Sequence, residues 1–310
     1  MIIEHLSETL FLAEHDIVRF SLSSPHRYKV YEIPKRNSSK TRTIAHPSKE
    51  LKFIQRTLVE FLSKKLPVHE TAFAYKKGIG IKENAKKHSK SKYLLKMDFK
   101  DFFPSITPDL FFSVAKAHGI EFNENDRTVL TGLLFWRPIK GDGLVLSIGA
   151  PTSPLISNFV MFSFDKKVSA ECLNKKITYT RYADDITFST RVKNALFEIP
   201  LFIASVLNET MEGIELKHEK TIFTSRAHNR HVTGVTLTNN GGLSVGREKK
   251  RLISSMIHKS KYSKLSIEAA ANLLGLISYA THIEPEFMDR MIKKYGTEVI
   301  QAIKVRASGS

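Results

Sequence analysis

Over the first 25 positions apolar residues recur at helical spacing, with Leu6, Leu10, Ala13 and Ile17 near one face, which predicts a helix there. The period then changes. Residues 28–33 and 41–44 are rich in β-branched and aromatic side chains and flank a polar stretch at 35–40, which predicts two strands joined by a turn. Helical spacing returns over 51–62, and Gly78 and Gly80 break the chain before a basic helix near 81–89. An apolar run, Tyr93-Leu94-Leu95-Lys96-Met97, predicts a strand ending in Asp98. Thr107-Pro108-Asp109 supplies an N-cap, a first-turn proline and a first-turn acid, and Gly119 sits where that helix stops. Residues 137–143 read as a loop, and Ser153-Pro154 opens a further helix through Leu155, Phe159 and Phe162. Beyond it, 192–210 reads as helix, 231–237 as a strand and Asn239-Asn240-Gly241-Gly242 as a turn. From about 247 the pattern is helical to the end, with Ser266 as an N-cap.

The most informative stretch is Tyr182-Ala183-Asp184-Asp185, between two strand-like runs within 177–189. Asp tolerates turn geometry, so the pair fits the tip of a hairpin. Two adjacent anions repel each other and gain nothing from burial, and a divalent cation relieves that cost. A lone doublet is equally an exposed turn. Asp98 changes the balance, because a phosphoryl-transfer site takes two metal ions held by carboxylates from different elements.

Composition sharpens this picture. The 310 residues carry 48 Lys plus Arg against 31 Asp plus Glu, a net charge of +17. The bases cluster at 86–92, 247–251 and 259–264, the footprint of phosphate-backbone binding. Cys172 is the one cysteine, which excludes a disulfide framework and a cysteine zinc site and fits a reducing compartment. No apolar run spans a bilayer and the N-terminus lacks the pattern of a secretory signal, so a cytoplasmic location and no membrane partner are expected.

Four ordered segments together resemble the reverse transcriptases: Asp98-Phe99-Lys100-Asp101-Phe102-Phe103, Gly149-Ala150-Pro151-Thr152-Ser153-Pro154, Tyr182-Ala183-Asp184-Asp185 and Leu216-Lys217-His218-Glu219-Lys220-Thr221. The resemblance covers roughly residues 28–240. Asn84-Ala85-Lys86-Lys87-His88 and Val232-Thr233-Gly234 are similar to two signatures of the bacterial retron branch. Ile148 departs from the pattern, because many relatives carry Gln there.

That resemblance implies an α+β right-hand polymerase whose palm is a small antiparallel sheet backed by helices. Residues 1–93 would form the N-terminal helix and fingers, 94–237 the palm with a fingers segment inserted around 105–148, and 238–310 a helical thumb. The implied catalytic set is Asp98, Asp184, Asp185 and Lys220. Two Mg²⁺ would be held by Asp98, Asp184, Asp185 and the Phe99 carbonyl. The dNTP would meet Lys35, Lys40, Arg42, Phe103, Gly149, Ala150 and Pro151, with Phe103 excluding a ribose 2′-OH. RNA would meet Asn84, His88, Val232, Thr233, Gly234, Arg247, Lys249, Lys250 and Arg251. By physics alone, Asn84 and His88 share one helix face and serve capping or core hydrogen bonding equally well. The implied partners are a structured noncoding RNA that is both template and primer, its cDNA and a separate effector protein in anti-phage defence. A group II intron-like reverse transcriptase and a catalytically idle RNA-binding scaffold remain the alternatives.

Overall fold

The computed structural model describes residues 1–35, 41–138 and 143–309. In chain order the elements are α1 (Ile2–Leu10), α2 (Glu14–Ser23), β1 (Tyr28–Pro34), β2 (Thr41–Pro47), α3 (Lys49–Leu62), α4 (Ile81–His88), β3 (Tyr93–Asp98), α5 (Pro108–Ala117), α6 (Glu124–Leu134), α7 (Ser153–Val160) and α8 (Phe162–Asn174). There follow β4 (Thr178–Tyr182), β5 (Asp185–Thr190), α9 (Ile199–Thr210), β6 (Ile222–Ser225), β7 (Arg230–Val232), β8 (Val235–Leu237), β9 (Leu243–Ser244), α10 (Arg247–Tyr262), α11 (Ile267–Ile283), α12 (Pro285–Tyr295) and α13 (Thr297–Ala307). The strands make a β1-β2 hairpin, a sheet of order β4-β5-β3-β6 and a sheet of order β7-β8-β9. This is a mixed α+β architecture with small antiparallel sheets, as the sequence resemblance leads one to expect.

The chain divides into two compact units. The first comprises Met1–Tyr75, Lys96–Ile186 and Phe197–Thr221. The single N-terminal helix expected from periodicity is two, because Phe11 turns left-handed at φ 54° and ends α1. The free amides at the start of α1 are met by Asp126 of α6, whose Oδ1 accepts from Ile2 N at 2.9 Å and Ile3 N at 3.2 Å. Helix α6 is not among the elements the sequence pattern predicts; Asn123 caps it by accepting from Asp126 N at 2.7 Å. The expected caps at Thr107 and Pro108 form, and Gly119 has φ 69° just beyond α5. Helix α9 begins seven residues later than expected, because Pro200 has no amide to donate and is accommodated only in a first turn.

The second unit comprises Lys76–Leu95, Thr187–Leu196 and Ile222–Ser310. Its core joins Ala85 and Leu94 to Val232, Val235 and Leu237 and to one face each of α10, α11, α12 and α13. The strand expected over 231–237 is a hairpin, with Thr233 at φ 46° and Gly234 at φ 79° as its two turn residues. Two consecutive positive φ values match the twist of paired strands. A β-branched residue there is strained, so the turn needs outside support. Thr233 Oγ1 donates to the Ile81 carbonyl at 3.4 Å and accepts from Asn84 Nδ2 at 3.5 Å. The Gly234 carbonyl accepts from Tyr279 Oη at 3.0 Å and Lys249 Nζ at 3.4 Å. Ser266 caps α11 as expected, accepting from Ala269 N at 3.1 Å.

Candidate active site

Strands β4 and β5 are joined through Ala183 and Asp184, and Ala183 has φ 57°. An alanine in the left-handed region is held there by its neighbours. The Phe99 amide donates to the Asp184 carbonyl at 3.1 Å, which brings the end of β3 beside the turn. On its other side, the Lys217 amide donates to the Asp98 carbonyl and the Lys100 amide to the Glu215 carbonyl, both at 2.8 Å. Phe99 faces Leu216 in an antiparallel bridge, with its ring packed on Phe102 and Phe164. The short turn His218–Lys220 then puts Lys220 Nζ 2.5 Å from Asp98 Oδ2. The four residues expected to be catalytic therefore converge.

Asp98 is 5 % exposed, whereas the Lys220 side chain is half exposed. Burial, and then the charge of Asp98, push the Asp184 carboxyl above its usual range. Desolvation, and then the charges of Asp184 and Asp98, push Asp185 up to about 7. Asp185 still reaches solvent, which tempers the burial penalty and leaves repulsion from the neighbouring anions. Burial disfavours the Lys220 ammonium, but the Asp98 hydrogen bond and the three carboxylates outweigh it and raise its pKa. Among the described residues no group of three or more His, Cys, Asp or Glu is itself arranged to hold a metal ion. The donor chemistry nevertheless fits a divalent cation: all-oxygen ligands, too much negative charge, and a lysine drawn onto one carboxylate. Carboxylate sites of this kind complete their shells with substrate phosphates.

The nucleotide-contact candidates are only partly gathered. Arg42 on β2 lies close enough to act on the charge of Asp184. Lys35 is described, but no contact joins it to the carboxylates; Lys40 lies outside the described residues. Phe103 is half-buried and packs edge-on against Phe102 at 5.5 Å. The Ala45 amide donates to the Ile148 carbonyl at 3.1 Å, which stitches the Gly149-Ala150-Pro151 loop to β2. Gly149 has φ 132°, and a Cβ there would lie 2.9 Å from the Ala45 carbonyl oxygen. Gly149→Ala is accordingly expected to cost about 1–3 kcal/mol of stability. Thermal unfolding checks this, and an unchanged midpoint contradicts it.

Several RNA-contact candidates are placed elsewhere than expected. Asn84 and His88 are 1 % and 0 % exposed, so their shared face is a packing face and offers RNA no surface. Asn84 supports Thr233, and His88 Nδ1 lies 2.8 Å from Ser189 Oγ. Val232 is fully buried as well. Lys249 lies over the Tyr279 ring and Lys250 pairs with Glu284 at 2.5 Å, so both have internal partners. Arg247 and Arg251 are exposed.

Burial depresses the pKa of His88 from 6.5 to about 3. In that window the unfolded chain binds a proton that the folded one does not, so stability falls as pH drops below about 6.5. The loss approaches about 1.4 kcal/mol per pH unit. Denaturant unfolding between pH 7 and pH 4.5 should show a shallower slope for His88→Gln than for the wild type. Parallel slopes contradict the assignment.

Sequence reasoning missed Arg181, which is 0 % exposed and pairs with Asp165 at 2.6 Å. Tyr179, Thr180 and Arg181 of β4 are all buried, so strand alternation does not single it out, and its partner lies on α8.

The model of the reverse transcriptase family, described as "Reverse transcriptase (RNA-dependent DNA polymerase)", matches residues 33–237. The chain is 44 % identical to the Retron Ec83 reverse transcriptase of Escherichia coli, over 96 % of this chain and 95 % of that one. It is 35 % identical to the Retron Ec73 reverse transcriptase of Escherichia coli, over 90 % of each chain. Among solved structures, apo telomerase from Candida tropicalis is similar, with a TM-score of 0.52 at 13 % identity over 91 % of this chain and 58 % of that one, a likeness of fold. Matched over most of its length by that family and by these relatives, the chain belongs to the reverse transcriptases, in their retron branch, and is an RNA-directed DNA polymerase.

Proposed function

We propose that this enzyme copies part of a structured noncoding RNA into single-stranded DNA at the cluster of Asp98, Asp184 and Asp185, and that the same RNA serves as template and primer. The convergence of three carboxylates and Lys220 carries this reading. Asp98 and Asp184, with Asp185 and the Phe99 carbonyl, would hold two Mg²⁺. When bound, such ions lower the pKa of an attacking hydroxyl and neutralise the pyrophosphate leaving group. Lys220 keeps its proton in the field of the carboxylates and gives it to the departing pyrophosphate. Arg42, with Lys35 or Lys40, grips the triphosphate from the fingers hairpin, and Gly149, Ala150 and Pro151 line the nucleotide. Fingers, palm and thumb correspond to 1–93, 94–237 and 238–310, with the inserted fingers segment around 105–148.

RNA is held by charge and by stacking. Arg247 and Arg251 are exposed on α10. Beside them an open groove of about 500 Å³ is lined by Lys250, Arg251, His258, Phe287, Lys294 and Tyr295. Cations next to aromatic faces suit phosphates and unpaired bases. Thr233 and Gly234 act from the turn that Tyr279 and Lys249 support. A guanosine 2′-OH of the RNA starts synthesis, which gives a branched RNA–DNA molecule. The enzyme works in the cytoplasm with a separate effector protein in anti-phage defence.

Primer extension on a defined RNA template tests the catalytic part. Incorporation of dNTPs should cease in chelator and return with Mg²⁺. Incorporation at an unchanged rate in excess chelator would sink the metal assignment. Phe103→Ala should raise ribonucleotide incorporation by about 10-fold or more, because a site that has no partner or room for a hydroxyl loses that exclusion. Competition between dNTP and rNTP checks it, and unchanged sugar selection rules out the gate.

A further inference from the structure

Behind the carboxylate turn lies a buried polar relay. Arg181 Nε donates to Asp165 Oδ1 at 2.9 Å and Oδ2 at 3.1 Å, and Nη2 donates to Oδ2 at 2.6 Å. Tyr179 Oη donates to the same carboxylate at 2.7 Å. Arg181 and Asp165 are both fully buried. Charges in such a place persist only when hydrogen-bonded, and every guanidinium nitrogen and both carboxylate oxygens have a partner. The guanidinium is fixed on one side, and its remaining nitrogen points forward. Nη1 donates to Asn158 Oδ1 at 3.1 Å and to the Ala183 carbonyl at 3.2 Å. Asn158 Nδ2 in turn donates to the Ala74 carbonyl at 3.0 Å. Ala183 is the residue at φ 57°, next to Asp184.

We propose that Arg181 is a positioning residue for catalysis: its guanidinium, anchored by Asp165, holds the Ala183 carbonyl and so keeps the turn that aims the Asp184 carboxylate. An alanine left to itself relaxes from the left-handed region toward negative φ, which rotates the next residue. The guanidinium opposes that relaxation. Its rigid fork binds Asp165 through two nitrogens and reaches Ala183 with the third; a lysine has one nitrogen and cannot do both. Misplacing a reacting group by about 1 Å costs on the order of 10²-fold in rate. The inference rests on Asp184 being a catalytic carboxylate.

The test measures kcat and dNTP KM on an RNA template for Arg181→Lys, Ala183→Gly and the double variant, with thermal unfolding as the check on folding. Arg181→Lys should lose about tenfold or more in kcat at an unchanged KM. Glycine adopts positive φ without strain, so Ala183→Gly in the same chain should restore at least half of that loss on a logarithmic scale. A purely structural role gives no such rescue. An unchanged kcat, a loss carried by KM, or a loss that glycine does not restore overturns the proposal. If Arg181→Lys does not fold, Asn158→Ala leaves the Arg181–Asp165 pair whole and should show the same split, about threefold, with the same rescue; no change in kcat then overturns it. Asp184→Asn in the same assay separates the two claims. Retained synthesis in Asp184→Asn removes the assignment beneath the inference, whereas inactive Asp184→Asn beside fully active Arg181→Lys removes only the role of Arg181.

Discussion

Asp184→Asn is expected to abolish DNA synthesis while leaving the protein at least as stable as the wild type. The two effects have opposite signs because the carboxylate is poorly placed for folding. Burial and the charge of Asp98 raise its pKa, so the ionised form is held at a cost in the folded state. An amide of the same size removes the repulsion and keeps the volume. Chemistry suffers because an amide cannot supply the charge that binds a divalent ion. Loss of one preorganised charge partner of a transition state costs on the order of 10³-fold. Primer extension and thermal unfolding on one preparation read both. Synthesis within tenfold of the wild type, or a clearly lower midpoint, would contradict this account.

Gly132→Ala should be among the most damaging single-methyl changes in the chain. Gly132 is on α6, and a Cβ there would lie 2.1 Å from the Ser21 carbonyl oxygen and 2.7 Å from the carbonyl carbon at the end of α2. Both atoms are backbone and cannot swing aside. Alanine is intrinsically the better helix residue by about 1 kcal/mol, so propensity predicts stabilisation. The overlap decides the sign, and a loss of about 3 kcal/mol or more is expected. Gly275→Ala on α11 is the control, because nothing lies within 4 Å of its Cβ. There propensity acts alone and should stabilise by about 1 kcal/mol. Equilibrium unfolding of the two variants checks the contrast, and matching signs would contradict it.

What the sequence made legible was local. The strand ending in Asp98, the strand-turn-strand around Asp184 and the caps at Thr107 and Ser266 follow from side-chain period and turn chemistry within a few residues. The four candidate catalytic residues stand out because their spacing resembles a family, and the fold brings them together through backbone bonds at Phe99 and Lys217. Other features depended on remote partners. Asn84 and His88 have the polarity of surface residues, yet Thr233 and Ser189 lie 149 and 101 positions away and give them interior hydrogen bonds. Lys249 and Lys250 look like part of a basic stripe until Tyr279 and Glu284 engage them. Thr233 is a poor candidate for a left-handed turn by propensity, and tertiary bonds override that preference. Arg181 reads as one polar residue in a strand because the reason for it, Asp165, sits on a helix.

The measurement that bears most directly on the central claim is to purify the protein from cells and sequence the nucleic acid that accompanies it. One discrete RNA joined to a short single-stranded DNA of defined sequence is expected, with the DNA absent when Asp184 is asparagine. Heterogeneous RNA with no attached DNA, or DNA that persists in Asp184→Asn, would contradict it.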